Sequence, residues 1–217
     1  SNSFLVIAGK KDIQTIKFKQ LGIIYSYNRI EKFQTVTRFT ENQRDDLCVI
    51  KEPIIQNKNI QLEKLSLHPC KYKWIDGLSL HMQLLIRINE QDITIDELFA
   101  PCKAWIKTLK SESFEIQNSL FISGKFLDCI WKNSFLNNGK YYFIDQEWVW
   151  EDPISLNVLI IRCIYYFLIE ATALIDATST LNNSSMRSLI KEISYSFGIH
   201  ANRNDINNFC DLESEIQ

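Results

Sequence analysis

Residues 124–148 read GKFLDCIWKNSFLNNGKYYFIDQEW, and the organisation of the whole chain turns on this segment. Asn137-Asn138-Gly139 is hairpin-turn chemistry, because glycine takes a positive φ at no steric cost and asparagine tolerates one, so short strands are expected on both sides. Ahead of the turn stand Asp128 and Asn133, five residues apart; behind it, residues 141–144 run as a strand into Asp145-Gln146-Glu147. Three acids and two amides therefore flank one hairpin. Singly they have a plainer reading, since Asp and Asn both favour turns and Asp-Gln-Glu suits a solvated strand end.

On the N-terminal side the texture is β. Residues 3–8, 21–27, 33–40 and 47–50 are short runs rich in Ile, Val, Thr, Phe and Tyr, and the polar cluster 41–46 separates two of them as a turn would. Residues 59–67 (NIQLEKLSL) carry Ile60, Leu62, Leu65 and Leu67 and stop before Pro69, which predicts a short helix following the third strand of a small sheet. From Gly77 the pattern turns helical. Residues 78–88 form one amphipathic stretch, and 94–110 another, capped by Asp92 or Thr94, with Leu98, Trp105, Ile106 and Leu109 as its apolar face. After the hairpin, helices are expected from Pro153 and again over 184–197 and 205–216. The fold class is α+β: a small antiparallel sheet, then a mainly helical half interrupted by the hairpin.

Composition narrows the function classes. The 217 residues are 46% hydrophobic and 23% charged, a globular balance, and 24 Lys plus Arg against 26 Asp plus Glu give a net charge of -2. Such a chain has no basic excess to neutralise phosphates, so nucleic acid is excluded as the main partner. Six glycines lie so far apart that neither G-x-G-x-x-G nor G-x-x-x-x-G-K-[ST] occurs. Six cysteines form no C-x-x-C pair, so they are expected as reduced, mostly buried residues in a cytoplasmic protein rather than zinc ligands.

The stretch 154–175 has membrane-spanning length but contains Asn157, Arg162 and Glu170, which predicts a buried helix and no transmembrane segment. A buried Arg162 needs a partner, and Asp128 and Glu147 are the candidates. Trp148, Trp150, Tyr165, Tyr166 and Phe167 are expected in the core, and none of His68, His81 and His200 is placed for catalysis.

The spacing of Asp128 and Asn133, followed by a hairpin and Asp145-Gln146-Glu147, resembles the catalytic loop D-x-x-x-x-N of kinases and the metal-binding D-x-E of aminoglycoside and choline kinases. Leu47-Cys48-Val49-Ile50-Lys51 resembles the V-A-I-K strand, and residues 74–80 (WIDGLSL) resemble the hinge of small-molecule kinases. The resemblance implies ATP and magnesium as cofactors and a two-lobed protein-kinase-like fold, N-lobe 13–76 and C-lobe 77–217. It implies Asp128 as the catalytic base and Asn133, Asp145 and Glu147 as metal ligands. Lys51 would contact the α and β phosphates, with Glu63 pairing to it, and Arg29 would anchor phosphate in place of a glycine loop. Phe126, where the loop histidine usually stands, and the bulky Trp131 depart from the pattern. Without the resemblance, Lys51 is a strand lysine reaching water and Glu63 a surface residue.

The strings NSFLVIA, YSYNR, FLDCIWKN and FIDQEW with PISLNVLIIR further resemble a bacterial family in which a kinase-like domain follows a class I S-adenosylmethionine methyltransferase in surface-polysaccharide enzymes. That likeness implies that residues 1–12 are a strand left from a preceding methyltransferase domain. It also implies that the acceptor is a hydroxyl on a glycan or small molecule, and that the partner is a methyltransferase or glycosyltransferase. The alternative is a catalytically lapsed pseudokinase that serves such an assembly as an interaction module.

Overall fold

In a computed structural model of the chain, residues 20–26, 29–41, 46–55, 60–176, 179–182 and 184–216 are described, and they fall into two units, Ser1–Ile75 and Asp76–Gln217. The strand expected over 3–8 lies outside the described residues. The protein is α+β, with small antiparallel sheets and several helices.

The first unit holds an antiparallel sheet in the order β1 (Gln20–Tyr25), β2 (Thr35–Glu41), β3 (Leu47–Pro53) and β6 (Cys70–Lys73). Strand β3 is central, with Thr37 opposite Lys51 on one side and Cys70 opposite Lys51 on the other. Between β3 and β6, the helix predicted over 59–67 is instead a hairpin, β4 (Ile60–Leu62) paired with β5 (Leu65–Leu67). Glu63 takes a φ of 48° at its turn. The apolar positions that suggested a helical face have a second period: Leu65 and Leu67 are buried on either side of a half-buried Ser66, which is strand alternation. Nine residues are also too few for a helix to stand on its own propensity.

The second unit is helical around one interruption. Helix α1 (Leu80–Arg87) starts at Ser79, whose hydroxyl accepts a hydrogen bond from the Met82 amide. The single helix predicted over 94–110 is two, α2 (Ile95–Leu98) and α3 (Ala100–Ser111). Thr94 and Glu97 close a reciprocal capping box on α2, while Phe99 leaves helical geometry and Pro101 begins the second helix, where its missing N–H has no intrahelical role. Strands β7 (Phe114–Ile116) and β8 (Ser119–Ile122) form a hairpin joined by β12 (Ile154–Ser155). The segment 124–148 supplies a separate pair, β9 (Ser134–Asn137) and β10 (Lys140–Phe143), followed by β11 (Trp148–Trp150). Asn138 and Gly139 take φ of 50° and 74°, as a two-residue turn of the right hand requires.

Helix α4 (Leu156–Ala171) is the core of this unit. It is predominantly apolar, packs against α5 (Met186–Ser196) and α6 (Arg203–Ile216), and buries Leu159, Ile160, Ile161, Ile164 and Phe167 completely. Among the described residues no helix is long and apolar enough to cross a membrane. Cys48, Cys102, Cys129 and Cys163 are buried free thiols, as expected of most of the cysteines, whereas Cys70 is half-buried and Cys210 exposed.

Candidate functional site

Asp128 lies on a loop pinned at alternate residues. Leu127, Cys129 and Trp131 are each only 1% exposed, so the main chain around Asp128 is nailed into the core while its own carboxylate stays partly accessible. Trp131 does most of this. Its ring meets those of Phe99, Trp105, Phe167 and Phe197 at centroid distances of 5.7, 6.1, 5.9 and 6.3 Å, and aromatic contacts of that kind add about 0.5–1.5 kcal/mol each beyond area burial. The residue that departed from the kinase loop pattern is therefore the loop's anchor. Ser134 fixes the far end, accepting from Trp105 Nε1 at 2.9 Å and donating to the Ile130 carbonyl at 2.8 Å.

The hairpin brings Asn133 beside Asp145. Ser134 pairs with Phe143, and the ladder continues one step to the Ile144 amide donating to the Asn133 carbonyl at 2.9 Å, so Asp145 is the next residue along. Asn133 Nδ2 donates to the Asp128 carbonyl at 3.0 Å, which commits the amide nitrogen to the loop. Asp145 sits at a φ of 60°, a conformation that Asp tolerates better than most residues but that still costs about 1 kcal/mol. Gln146 braces the turn: its Nε2 donates to the Ile144 carbonyl at 2.9 Å, and its Oε1 accepts from Cys129 Sγ at 3.0 Å. Burial pushes the Cys129 thiol well up, so it remains an S–H donor. Glu147 is 1% exposed, in contrast to the solvated strand end of the plainer reading.

Behind the loop lies Arg162, 5% exposed in the middle of α4. Its Nε donates to Glu213 Oε1 at 2.6 Å, and its Nη1 donates to the Leu127 carbonyl at 2.8 Å and stands 3.5 Å from Asp128 Oδ1. The guanidinium also lies 4.9 Å over the Tyr166 ring, and Tyr166 donates its hydroxyl to Glu213 Oε2 at 2.6 Å. Burial works against the charge of Arg162, but Glu213 and Asp128 outweigh it and raise its pKa further. The Tyr166 hydroxyl is pushed up to about 12 by burial and by the bond to Glu213, so it stays protonated as the donor. Of the two carboxylates expected to hold Arg162, Asp128 does. Glu213 takes the place foreseen for Glu147, because α6 lies along α4 and presents its carboxylate to the guanidinium.

The remaining predicted residues belong to the first unit. Lys51 is buried on β3, on the same sheet face as Val49, rather than reaching water. Arg29, in the link between β1 and β2, donates from Nη1 to Thr35 Oγ1 at 3.3 Å. Thr35 is two residues from Thr37, the partner of Lys51, so Thr35 and Lys51 share one face of the sheet and Arg29 is tied to that face. Glu63 is exposed on the β4–β5 turn rather than on a helix, so the geometry expected for a helical partner of Lys51 is not the one found.

Three residues of the site escaped sequence reading: Gln146, Tyr166 and Glu213. A signal for the last was present, because Asp205, Phe209, Leu212 and Glu213 recur at helical spacing and are buried together, an acid on the apolar stripe of a helix. No family model, curated protein or solved structure matches the chain.

Proposed function

We propose that the chain is a two-lobed, kinase-like phosphotransferase that uses ATP and magnesium to phosphorylate a hydroxyl of a glycan or similar small molecule. The observation that carries this reading is the closed geometry of the loop, in which Asn133 Nδ2 binds the Asp128 carbonyl while the hairpin ladder sets Asp145 next to Asn133. In that arrangement Asp128 would receive and orient the acceptor hydroxyl and take its proton, while Asn133 Oδ1 and the Asp145 carboxylate would hold the metal and Glu147, close in sequence, would offer a further oxygen. By the resemblance to kinases, Arg29 and Lys51, both tied to one face of the first unit's sheet, would be the phosphate contacts.

The residues assigned to the metal offer oxygen donors alone, the kind magnesium takes, and magnesium is ordinarily held by one or two carboxylates together with phosphate oxygens and water. Among the described residues no group of three or more His, Cys, Asp or Glu that could hold a metal ion is found. When bound, the ion draws charge off the β and γ phosphates. The work of the chain's own residues is positional: the buried flanks of Asp128 hold its main chain still, and Gln146 and Cys129 fix the turn that carries Asp145. By the likeness noted in the sequence, the setting would be surface-polysaccharide synthesis in the cytoplasm, beside a methyltransferase or glycosyltransferase.

A second reading, a lapsed kinase acting as an interaction module, draws on the 3.5 Å approach of Arg162 to Asp128, since that carboxylate already faces a cation. Two variants separate the readings. Asp128→Asn keeps shape and an accepting oxygen but removes the base, so turnover should fall by about 100-fold or more with ATP–magnesium affinity nearly unchanged. Asp145→Asn should weaken metal-dependent nucleotide binding itself. If both variants keep full phosphotransfer, the assignment is wrong; if the wild type binds nucleotide yet transfers phosphate to no glycan or lipid-linked acceptor, the module reading replaces it.

A further inference from the structure

We infer that Glu213 on α6 is a positioning residue for Asp128, acting by holding the Arg162 guanidinium back from the catalytic carboxylate. The inference rests on the proposed role of Asp128. One guanidinium serves two carboxylates on different elements, and it serves them unequally: 2.6 Å from Nε to Glu213, 3.5 Å from Nη1 to Asp128. Nη1 also donates to the Leu127 carbonyl at 2.8 Å, a contact one residue from Asp128 about which the guanidinium can turn toward the loop once its Nε is released. Glu213 is itself fixed, its second oxygen taking the Tyr166 hydroxyl at 2.6 Å. The chain of contacts Tyr166, Glu213, Arg162, Leu127 and Asp128 thus runs from the C-terminal helix to the loop.

The division of charge has a direction. A buried cation moves toward whatever negative charge remains when one partner is lost, because an unpaired buried guanidinium is strongly disfavoured. With Glu213 neutralised, the remaining carboxylate is Asp128, and Arg162 closes on it. A clamped Asp128 offers fewer acceptor positions to a substrate hydroxyl and gives up its negative charge to an ion pair, although the nucleotide side of the site is untouched. Helix α6, which carries none of the proposed ligands, therefore decides how tightly the base is held, and anything that lifts α6 from α4 turns the site down.

The test combines stability and turnover on the whole chain. In urea unfolding, Asp128→Asn should raise the unfolding constant at least about threefold more in the Glu213→Gln background than in the wild type, since Arg162 then has no second carboxylate. Strictly additive effects would overturn the inference. In phosphotransfer, Glu213→Gln should lower kcat about tenfold with the KM for ATP unchanged, the pattern of an interaction lost in the transition state alone. Adding Arg162→Gln to that variant should then recover turnover, because the clamp is gone, whereas a merely structural Glu213 would make the double variant worse. Tyr166→Phe, which loosens Glu213 without removing it, should lower kcat in the same sense and by less, and serves if Glu213→Gln folds poorly. Unchanged kcat in folded Glu213→Gln and Tyr166→Phe sinks the inference. Coupled stability with no phosphotransfer in the wild type sinks the functional reading and leaves the sharing of Arg162 between α6 and the loop in place.

Discussion

Arg162→Met removes a buried cation while keeping most of the side chain's volume, so its effect is electrostatic rather than a cavity. The wild-type guanidinium makes close contacts to Glu213 and the Leu127 carbonyl and a longer one to Asp128, and the two carboxylate side chains are only 10% and 16% exposed. Deleting the cation removes the opposite charge that both carboxylates face in a poorly solvated region, and breaking a buried pair from one side costs about 3–5 kcal/mol. For a chain of this size about 2–4 °C is lost per kcal/mol, giving a fall of roughly 6–20 °C in Tm. Urea unfolding followed by near-ultraviolet circular dichroism reads the right region, because Trp105 and Trp131 are buried in the same unit at 0% and 1% exposure. Arg162→Met/Glu213→Gln should recover part of the loss, one stranded charge having been removed. Lys73→Met is the control: the Lys73–Asp46 pair is just as short at 2.7 Å, but Lys73 is 69% exposed, so no shift in midpoint is expected. An Arg162→Met midpoint equal to wild type, or a double variant less stable than the single, would refute the picture of a buried ion-pair hub.

Gly124→Ala should destabilise the second unit by about 3 kcal/mol or more, because a Cβ at that position would lie 2.7 Å from the Trp150 carbonyl carbon and 2.8 Å from the Asp152 carbonyl oxygen, rigid backbone atoms that cannot give way; urea unfolding measures it. His81 gives a pH dependence. It is buried against the Phe167 ring with Nε2 3.1 Å from Glu170 Oε2, and its pKa is lowered below 6.5, chiefly by burial, with Glu170 opposing and Lys132 reinforcing the shift. The fold therefore prefers neutral His81: the stabilisation is fully present above pH 6.5 and is lost as pH falls through the interval below it. His81→Gln should flatten the Tm against pH curve there, and an unchanged slope would assign that acid sensitivity to other groups.

How much of this could be read from sequence depended on whether a signal was local. The Asn138-Gly139 turn fixes its own φ values, so the hairpin was legible, and the polar residues inside residues 154–175 were enough to mark a buried helix with a charge in need of a partner. Residues 59–67 were misread because a run of Leu and Ile at every second or third position satisfies both periods, and only tertiary pairing of β4 with β5 decides between them. The break between α2 and α3 was missed, because the continuous apolar face over 94–110 reads as one helix; Pro101, in the first turn of α3, was the local signal for it. Asp128 was foreseen as a partner of Arg162 because both sit near the loop. Glu213 was not, because it lies 51 residues away on a helix whose docking against α4 no local pattern specifies. Trp131 is the instructive case: as a string it looks like damage to a catalytic loop, and as a side chain it holds that loop to the core.

The central claim, that Asn133 and Asp145 hold a metal with nucleotide, is met most directly by the melting temperature of the wild-type chain with ATP plus magnesium, with ATP plus chelator, and with neither. At about 100 times its dissociation constant, ATP with magnesium should stabilise the fold by roughly 2.7 kcal/mol, a rise of about 5–10 °C. ATP without metal should give much less, and Asp145→Asn should remove most of the difference. No rise with ATP plus magnesium, or an equal rise with and without the metal, would contradict the account.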